Sequence, residues 1–421
     1  MSTPKVFPGP ATEALGRVEG DLSIWRDRVS KWCAINTGSR NLAGLAAFLP
    51  ELQAAFSVLP GTMTCIQLEP EAGIDNEGRA FDRAAGQCML LTVRPDANIR
   101  LVLTGHYDTV FPADTAFREV REASDGVLNG PGVADMKGGI LVMLEALQAL
   151  ESSPYASALG YDVLLSPDEE IGSPGSAPYL AELGRRAALG LTFEPAMPDG
   201  YFASARKGSG NFSLVVHGRS AHVGRAHADG RSAILAAAEF TMALEALNGC
   251  VDGVTFNVGR IDGGGPNNAV PEGAVVRFNA RAPDHEGQNW AAEQIDALVA
   301  NANRRDGIHC HLHGGFTRPP KPITPSQKRI FDDLSAIGTM LGIPIGFRAT
   351  GGVCEGNNLA ASGCPNIDTL GPVGGALHSS DEFAVLASFP ERARLVAGLL
   401  LAYASGELDP MAARRAGMSA A

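Results

Sequence analysis

Short apolar runs that stop abruptly at polar residues recur through the first half of the chain. IRLVLT (99–104) ends at Gly105-His106-Tyr107-Asp108, YDVLLS (161–166) at Pro167-Asp168-Glu169-Glu170, and LGLTF (189–193) at Glu194-Pro195. Runs of this length bounded by turn residues read as buried strands. Between the first two, Ile140, Met143, Leu144 and Leu147 recur at i, i+3, i+4 and i+7, the spacing of one helix face. Residues 13–58 read as helical, with Trp25, Val29, Trp32 and Cys33 at helix-like spacing. Strands alternating with helices predict an α/β domain with a mixed, largely parallel sheet. In such a sheet the ligand crevice lies beyond the carboxyl ends of the strands. The histidine and acidic clusters fall at those ends.

The texture changes near Arg206. The order becomes strand (211–217), helix (232–247), strand (254–261), strand (275–282), helix (289–302) and strand (309–314). This βαββαβ order is that of a ferredoxin-like sandwich. It predicts an inserted domain over 206–317 within a catalytic domain formed by 1–205 and 318–421. After Pro319-Pro320 the α/β texture resumes, with a strand expected at 366–370 and a closing helix at 389–403. The tail beyond Pro410 is expected to fray.

Composition narrows the function. With 421 residues, 45% of them apolar and 19% charged, the chain can bury more than one core. A net charge of −12 disfavours a general nucleic-acid or anionic-membrane surface. The longest purely apolar stretch, Leu395–Ala404, is far short of a membrane span, and MSTPKVFPGP lacks a charged leader followed by an apolar run. A cytoplasmic protein is expected. Seven cysteines without close pairs indicate neither a disulfide framework nor a cysteine-type zinc ribbon.

Each polar cluster is ambiguous alone. His106 and Asp108, two apart at a strand end, fit either a satisfied histidine or a metal ligand with an orienting carboxylate. NGPGVADMKGG (129–139) is glycine-rich but has neither nucleotide-loop pattern, and Asp135 within it fits a helix cap as well as a ligand. Asp168-Glu169-Glu170 reads as a solvated acidic turn unless a cation sits beside it. Glu194 directly terminates an apolar run, and His378 follows a glycine-rich turn. Together, His106, Asp135, Glu170, Glu194 and His378 supply imidazole and carboxylate without thiolate, which suits Zn²⁺, Co²⁺ or Mn²⁺ in a catalytic site. Five ligands serve two divalent ions if one carboxylate bridges. Two such ions outweigh three carboxylates, and the residual positive charge favours an activated water and a developing oxyanion. Glu169, not needed as a ligand, is free to act as general base.

GHYDTVF (105–111), NGPGVADMKGG, SPDEEIGSPGS (166–176), Glu194-Pro195 and the late His378 resemble, in order over about residues 20–405, the co-catalytic zinc aminoacylase/carboxypeptidase family. The resemblance implies an α/β metal domain with an inserted lid that dimerises. It implies one ion on His106 and Glu194, the other on Glu170 and His378, and a bridge at Asp135 with a cis peptide to Met136. It makes Asp108 the orienter of His106 and Glu169 the proton shuttle. Glutamate at 194 is similar to the glutamate-carboxypeptidase branch. Within the inserted domain, GRSAHVGRAHADGRSAI (218–234) resembles the segment whose histidine, here His222, stabilises the oxyanion in the partner's site. His227 then has mainly a surface role. Asn268 in NNAVPEG and Arg281 in FNARAP match lid positions that contact substrate, Arg281 gripping its carboxylate, and Arg318 in FTRP is a further substrate-binding candidate that assists at the hinge. In TGGVCEGNN (350–358), Val353-Cys354-Glu355 stands where that branch resembles Gly-Thr-Asp, beside the substrate pocket.

The reading is a two-metal amidohydrolase acting on a small amide or short peptide with a free carboxylate. The alternatives are a deacylase of acylated amino-acid metabolites and a non-catalytic binding protein on the same scaffold.

Overall fold

The computed structural model describes residues 7, 9–124 and 126–418. The central sheet has the strand order Thr62–Gln67, Gln87–Val93, Gly160–Ser166, Arg100–His106, Leu189–Thr192 and Asn366–Ile367. All run parallel except Gln87–Val93, which is antiparallel to both neighbours. Gly160–Ser166 and Leu189–Thr192 are buried throughout, and Arg100–His106 at all but its first residue. Strands covered on both faces read as continuous apolar runs rather than alternations. The helix Lys137–Glu151 packs against Ser388–Ser405, and both are buried on nearly every side. An apolar core including Trp25, Phe48, Leu103, Leu144 and Phe389 joins sheet and helices.

Three expectations change. The first helical region is three helices, Gly9–Leu15, Leu22–Cys33 and Leu42–Phe56. Asp21 and Asn41 restart the later two, accepting from the amides of Ser23 and Gly44. The strand expected at 366–370 is only Asn366–Ile367. Buried Asp368 follows, and Thr369 takes φ +63°, which turns the chain. Up to Met418 the tail beyond Pro410 is ordered as a helix, Ala412–Met418, anchored by Arg414, which donates to the carbonyls of Gly184 and Ala187; residues 419–421 lie outside the described residues.

The inserted domain has its own sheet, in the order Thr255–Gly263, Gly273–Ala282, Gly208–His217 and His309–Arg318, antiparallel throughout. Helices Ala233–Glu245 and His285–Ala302 cover one face, over a separate core that includes Leu214, Val216, Phe240, Phe278 and Ile295. The other face is polar. The two chain crossings pair at Arg206 and Lys321, whose backbones exchange hydrogen bonds of 3.0 Å in both directions. Both side chains converge on buried Asp368, Arg206 with two bonds of 2.9 and 2.8 Å and Lys321 with one of 2.7 Å. A hairpin, Glu71–Ile74 with Ala80–Arg83, reaches the lid. There Arg277 donates to the carbonyls of Ile74 and Asp75. Among the described residues no helix is long and apolar enough to cross a membrane.

Candidate metal centre

His106 is the last residue of its strand and fully buried. Its Nδ1 donates to the Asp108 carbonyl at 3.1 Å, with the Asp108 carboxylate at 3.4 Å. That leaves the Nε2 lone pair facing the cluster. Asp135 ends a tight loop before the helix Lys137–Glu151, and its peptide to Met136 is cis. It does not cap that helix. The cap position is Met136, and the Asp135 carboxylate turns the other way. Its Oδ1 lies 3.1 Å from His106 Nε2, and its Oδ2 3.4 Å from His378 Nε2. Glu194 Oε1 is 3.7 Å from His106, and Glu170 Oε2 is 3.2 Å from His378.

Two groups of ligand atoms, each within 4.8 Å, therefore form among the described residues: His106, Asp135 and Glu194, and Asp135, Glu170 and His378. Asp135 belongs to both and gives a different oxygen to each. The acidic turn is not solvated, since Asp168 and Glu169 are buried. Asp168 accepts from the amides of Gly175 and Ser176. Asp108 accepts from those of Glu169 and Glu170 and from the Ser39 hydroxyl. Asp108 thus lies against His106 Nδ1 through its carbonyl and, through its carboxylate, holds the turn that carries both glutamates.

The electrostatics fit a cation. Burial, then the charge of Asp135, pushes Glu170 up to about 8 and Glu194 up to about 7. Asp135 and Glu170 push His378 up to about 11. Burial drives His106 down, but Asp108, Asp135 and Glu194 more than offset it, and it ends well above its ordinary value. Burial raises Asp135, yet the two histidines hold it below the usual carboxylate range. Glu194 Oε1 is buried with no hydrogen-bond partner. An anionic pocket that gathers protons onto its own ligands and keeps an orphan carboxylate oxygen suits divalent ions bound in their place.

Glu382 is a residue the sequence reading missed. Four positions after His378, it is buried and accepts from the amides of Gly132, Ala134 and Asp135. A small antiparallel sheet of Gly374–Gly375, Phe383–Val385, Val127–Asn129 and Arg121–Ser124 brings these loops together. The pattern His-x-x-x-Glu is visible in the chain, but its partners are backbone amides that no side-chain motif reveals.

Arg318, expected at the hinge, ends the strand His309–Arg318 and is tied to the turn that carries Glu169. It is 1% exposed, and its guanidinium is committed within the protein. Nη2 lies 2.7 Å from Glu169 Oε1 and donates to the Glu169 carbonyl at 2.9 Å and Ser173 Oγ at 3.0 Å, while Nη1 donates to Asn358 at 2.8 Å. Arg281 lies on the same sheet face, since Ser209 pairs with Arg281 on one side and Arg318 on the other. Arg281 Nη1 is buried without a partner, and burial, then the Arg318 charge, lowers its pKa. His222 and Asn268 are exposed on neighbouring loops joined by the bond from Val223 N to Asn268 O. His222 Nδ1 accepts from the Gly224 amide at 3.1 Å, so its proton sits on Nε2. No hydrogen bond or ion pair among the described residues joins His222 to the metal cluster of its own chain.

A sequence profile described as Peptidase family M20/M25/M40 matches residues 102–402. Carboxypeptidase G2 of Pseudomonas sp. (strain RS-16) is 24% identical over 383 residues, covering 90% of this chain and 89% of that protein. Succinyl-diaminopimelate desuccinylase of Xanthomonas oryzae pv. oryzae (strain MAFF 311018) is 30% identical over 301 residues, covering 67% and 78%. The fold is similar to the crystal structure of a tripeptidase from Staphylococcus aureus subsp. aureus Mu50. That likeness has a TM-score of 0.69 at 20% identity, over 91% of this chain and 99% of that one.

Proposed function

This chain belongs to peptidase family M20/M25/M40, and from that premise we propose that it is a two-metal amidohydrolase releasing an amino acid with a free α-carboxylate from an acyl or aminoacyl group. The observation that carries the reading is Asp135, shared between two ligand groups, with Glu169 close enough for its charge to act on Glu170 and Glu194. His106, Asp135 and Glu194 would hold one ion, and Asp135, Glu170 and His378 the other. When bound, zinc or a similar divalent ion supplies Lewis acidity for the carbonyl and for the attacking water. Glu169 takes the proton from that water and returns it to the leaving amine. Arg281, with a buried and unpartnered nitrogen, receives the substrate carboxylate. Asn268 lies on the loop bonded to that of His222 and contacts the substrate from there. His222 of the partner subunit donates its Nε2 proton to the developing oxyanion.

A homodimer through the lid supplies that partner. The lid exposes Ile234, Leu235, Met242 and Ile261 on one helix and the adjacent edge strand. The second reading, a deacylase of an acylated amino-acid metabolite, is favoured by the 30% identity to the desuccinylase. A panel of N-acyl and N-aminoacyl amino acids with Zn²⁺ or Co²⁺ tests both. Free-carboxylate substrates should be cleaved and their carboxamide counterparts should lose at least ~10-fold in kcat/KM. Preference for a succinyl group would select the deacylase, and no hydrolysis of any amide would overturn both.

A further inference from the structure

Four of the chain's nine histidines stand together on the lid, away from the metal cluster. His309, His311 and His313 alternate along the edge strand His309–Arg318, so they share one face. His217, the last residue of the neighbouring strand, pairs directly with His309, and its ring centroid lies 6.2 Å from that of His311. All four residues are exposed, and no hydrogen bond or ion pair among the described residues occupies their ring nitrogens.

We propose that His217, His309 and His311 form a further metal site on the lid, specific for first-row divalent ions that prefer imidazole: Cu²⁺, Ni²⁺ or Zn²⁺. Directly opposed residues of paired strands hold their Cβ atoms ~5 Å apart, and i, i+2 neighbours on one strand stand ~7 Å apart. Three imidazoles at such a triangle can meet one ion. Two imidazoles bound cis on one ion at ~2.1 Å have ring centres roughly 4.5–5.5 Å apart, so the rings of His217 and His311, at 6.2 Å, must turn toward each other to share it. Exposure makes that adjustment free of packing strain, and water fills the remaining positions. His313 lies one step further along the same face and lines the cavity of about 880 Å³ between the lid and the hairpin. The donor set differs in kind from the carboxylate-rich centre, and imidazole alone favours copper, nickel and zinc over magnesium or manganese. His311 is roughly 20 Å along the strand from Arg318, so this ion stands apart from the chemistry. It clips the edge strand to its neighbour, and by linkage it stabilises the folded chain.

The test uses enzyme already loaded at the dinuclear centre, to which Ni²⁺ is added. Calorimetry should show about one further equivalent per chain, and Tm should rise with Ni²⁺. The double variant His217→Asn/His311→Asn should weaken that binding at least ~10-fold and abolish the Tm rise, with amide hydrolysis unchanged. His285→Asn, at another exposed histidine, should bind as the wild type does. No further equivalent in the wild type, or equal binding by the double variant, would overturn the site.

Discussion

Glu169 takes its position from both of its neighbours in space. Asp108 holds its amide, and Arg318 holds its carboxylate and its carbonyl. If Glu169 moves the proton, Glu169→Gln should lower turnover at least ~10²-fold with metal content intact by elemental analysis. Arg318 acts through Glu169 and is a positioning residue, so Arg318→Met should lower kcat far more than it raises KM, with Arg318→Lys recovering part of the loss. A rise in KM alone would return Arg318 to the substrate-contacting role first expected of it. The five residues of the candidate metal cluster stand out in the sequence because each follows an apolar run or lies beside a glycine-rich turn. Polar residues at such places are conspicuous. Arg318 was legible as an unusual arginine but not in its partner, because the pair spans 149 positions and forms only when the lid strand returns to the sheet.

Among the elements, the buried strands and their helices were legible because full burial writes itself as unbroken apolar runs. The edge strand Thr62–Gln67 was not, since none of its residues is fully buried. Nor was the terminal helix, which owes its anchorage to tertiary bonds from Arg414. The segment that departs from the expected Gly-Thr-Asp becomes a short helix, Glu355–Ala361, capped by Cys354. It buries Glu355 completely. One carboxylate oxygen accepts from Ser166 Oγ at 2.5 Å and the other has no partner. Burial pushes Glu355 up to about 8 from an ordinary 4.5. The folded chain therefore keeps a proton that the unfolded chain loses between those values. The stability this contributes is fully present below 4.5 and is lost as pH rises through 8. Glu355→Gln cannot lose that proton. Its Tm relative to wild type should rise between about pH 5 and about pH 8.5, and a pH-independent difference would show that Glu355 does not titrate with folding.

At the scale of the whole molecule, one proposed catalytic residue has no hydrogen bond or ion pair, among the described residues, to the candidate metal cluster of its own chain. His222 is exposed, and its hydrogen bonds are to Gly224, Arg225 and Ala226 of its own lid loop. The apolar residues exposed on the same lid provide a surface through which a second copy could bring that histidine to the cluster. Removing one oxyanion donor typically lowers turnover by ~10²–10³, so His222→Ala should be nearly inactive with its metals bound. Glu169→Gln should be inactive through the other domain. In a dimer that shares sites in trans, a mixed dimer of the two variants has one site with both defects and one with neither. Random exchange makes half of the dimers mixed, so about a quarter of wild-type activity should return if the sites act independently. Subunit exchange is checked with differently tagged chains and the recovered rate is measured on the same preparation. Demonstrated mixed dimers without recovery would place His222 in its own subunit's site or outside the reaction, and the lid's apolar edge would then need a different explanation.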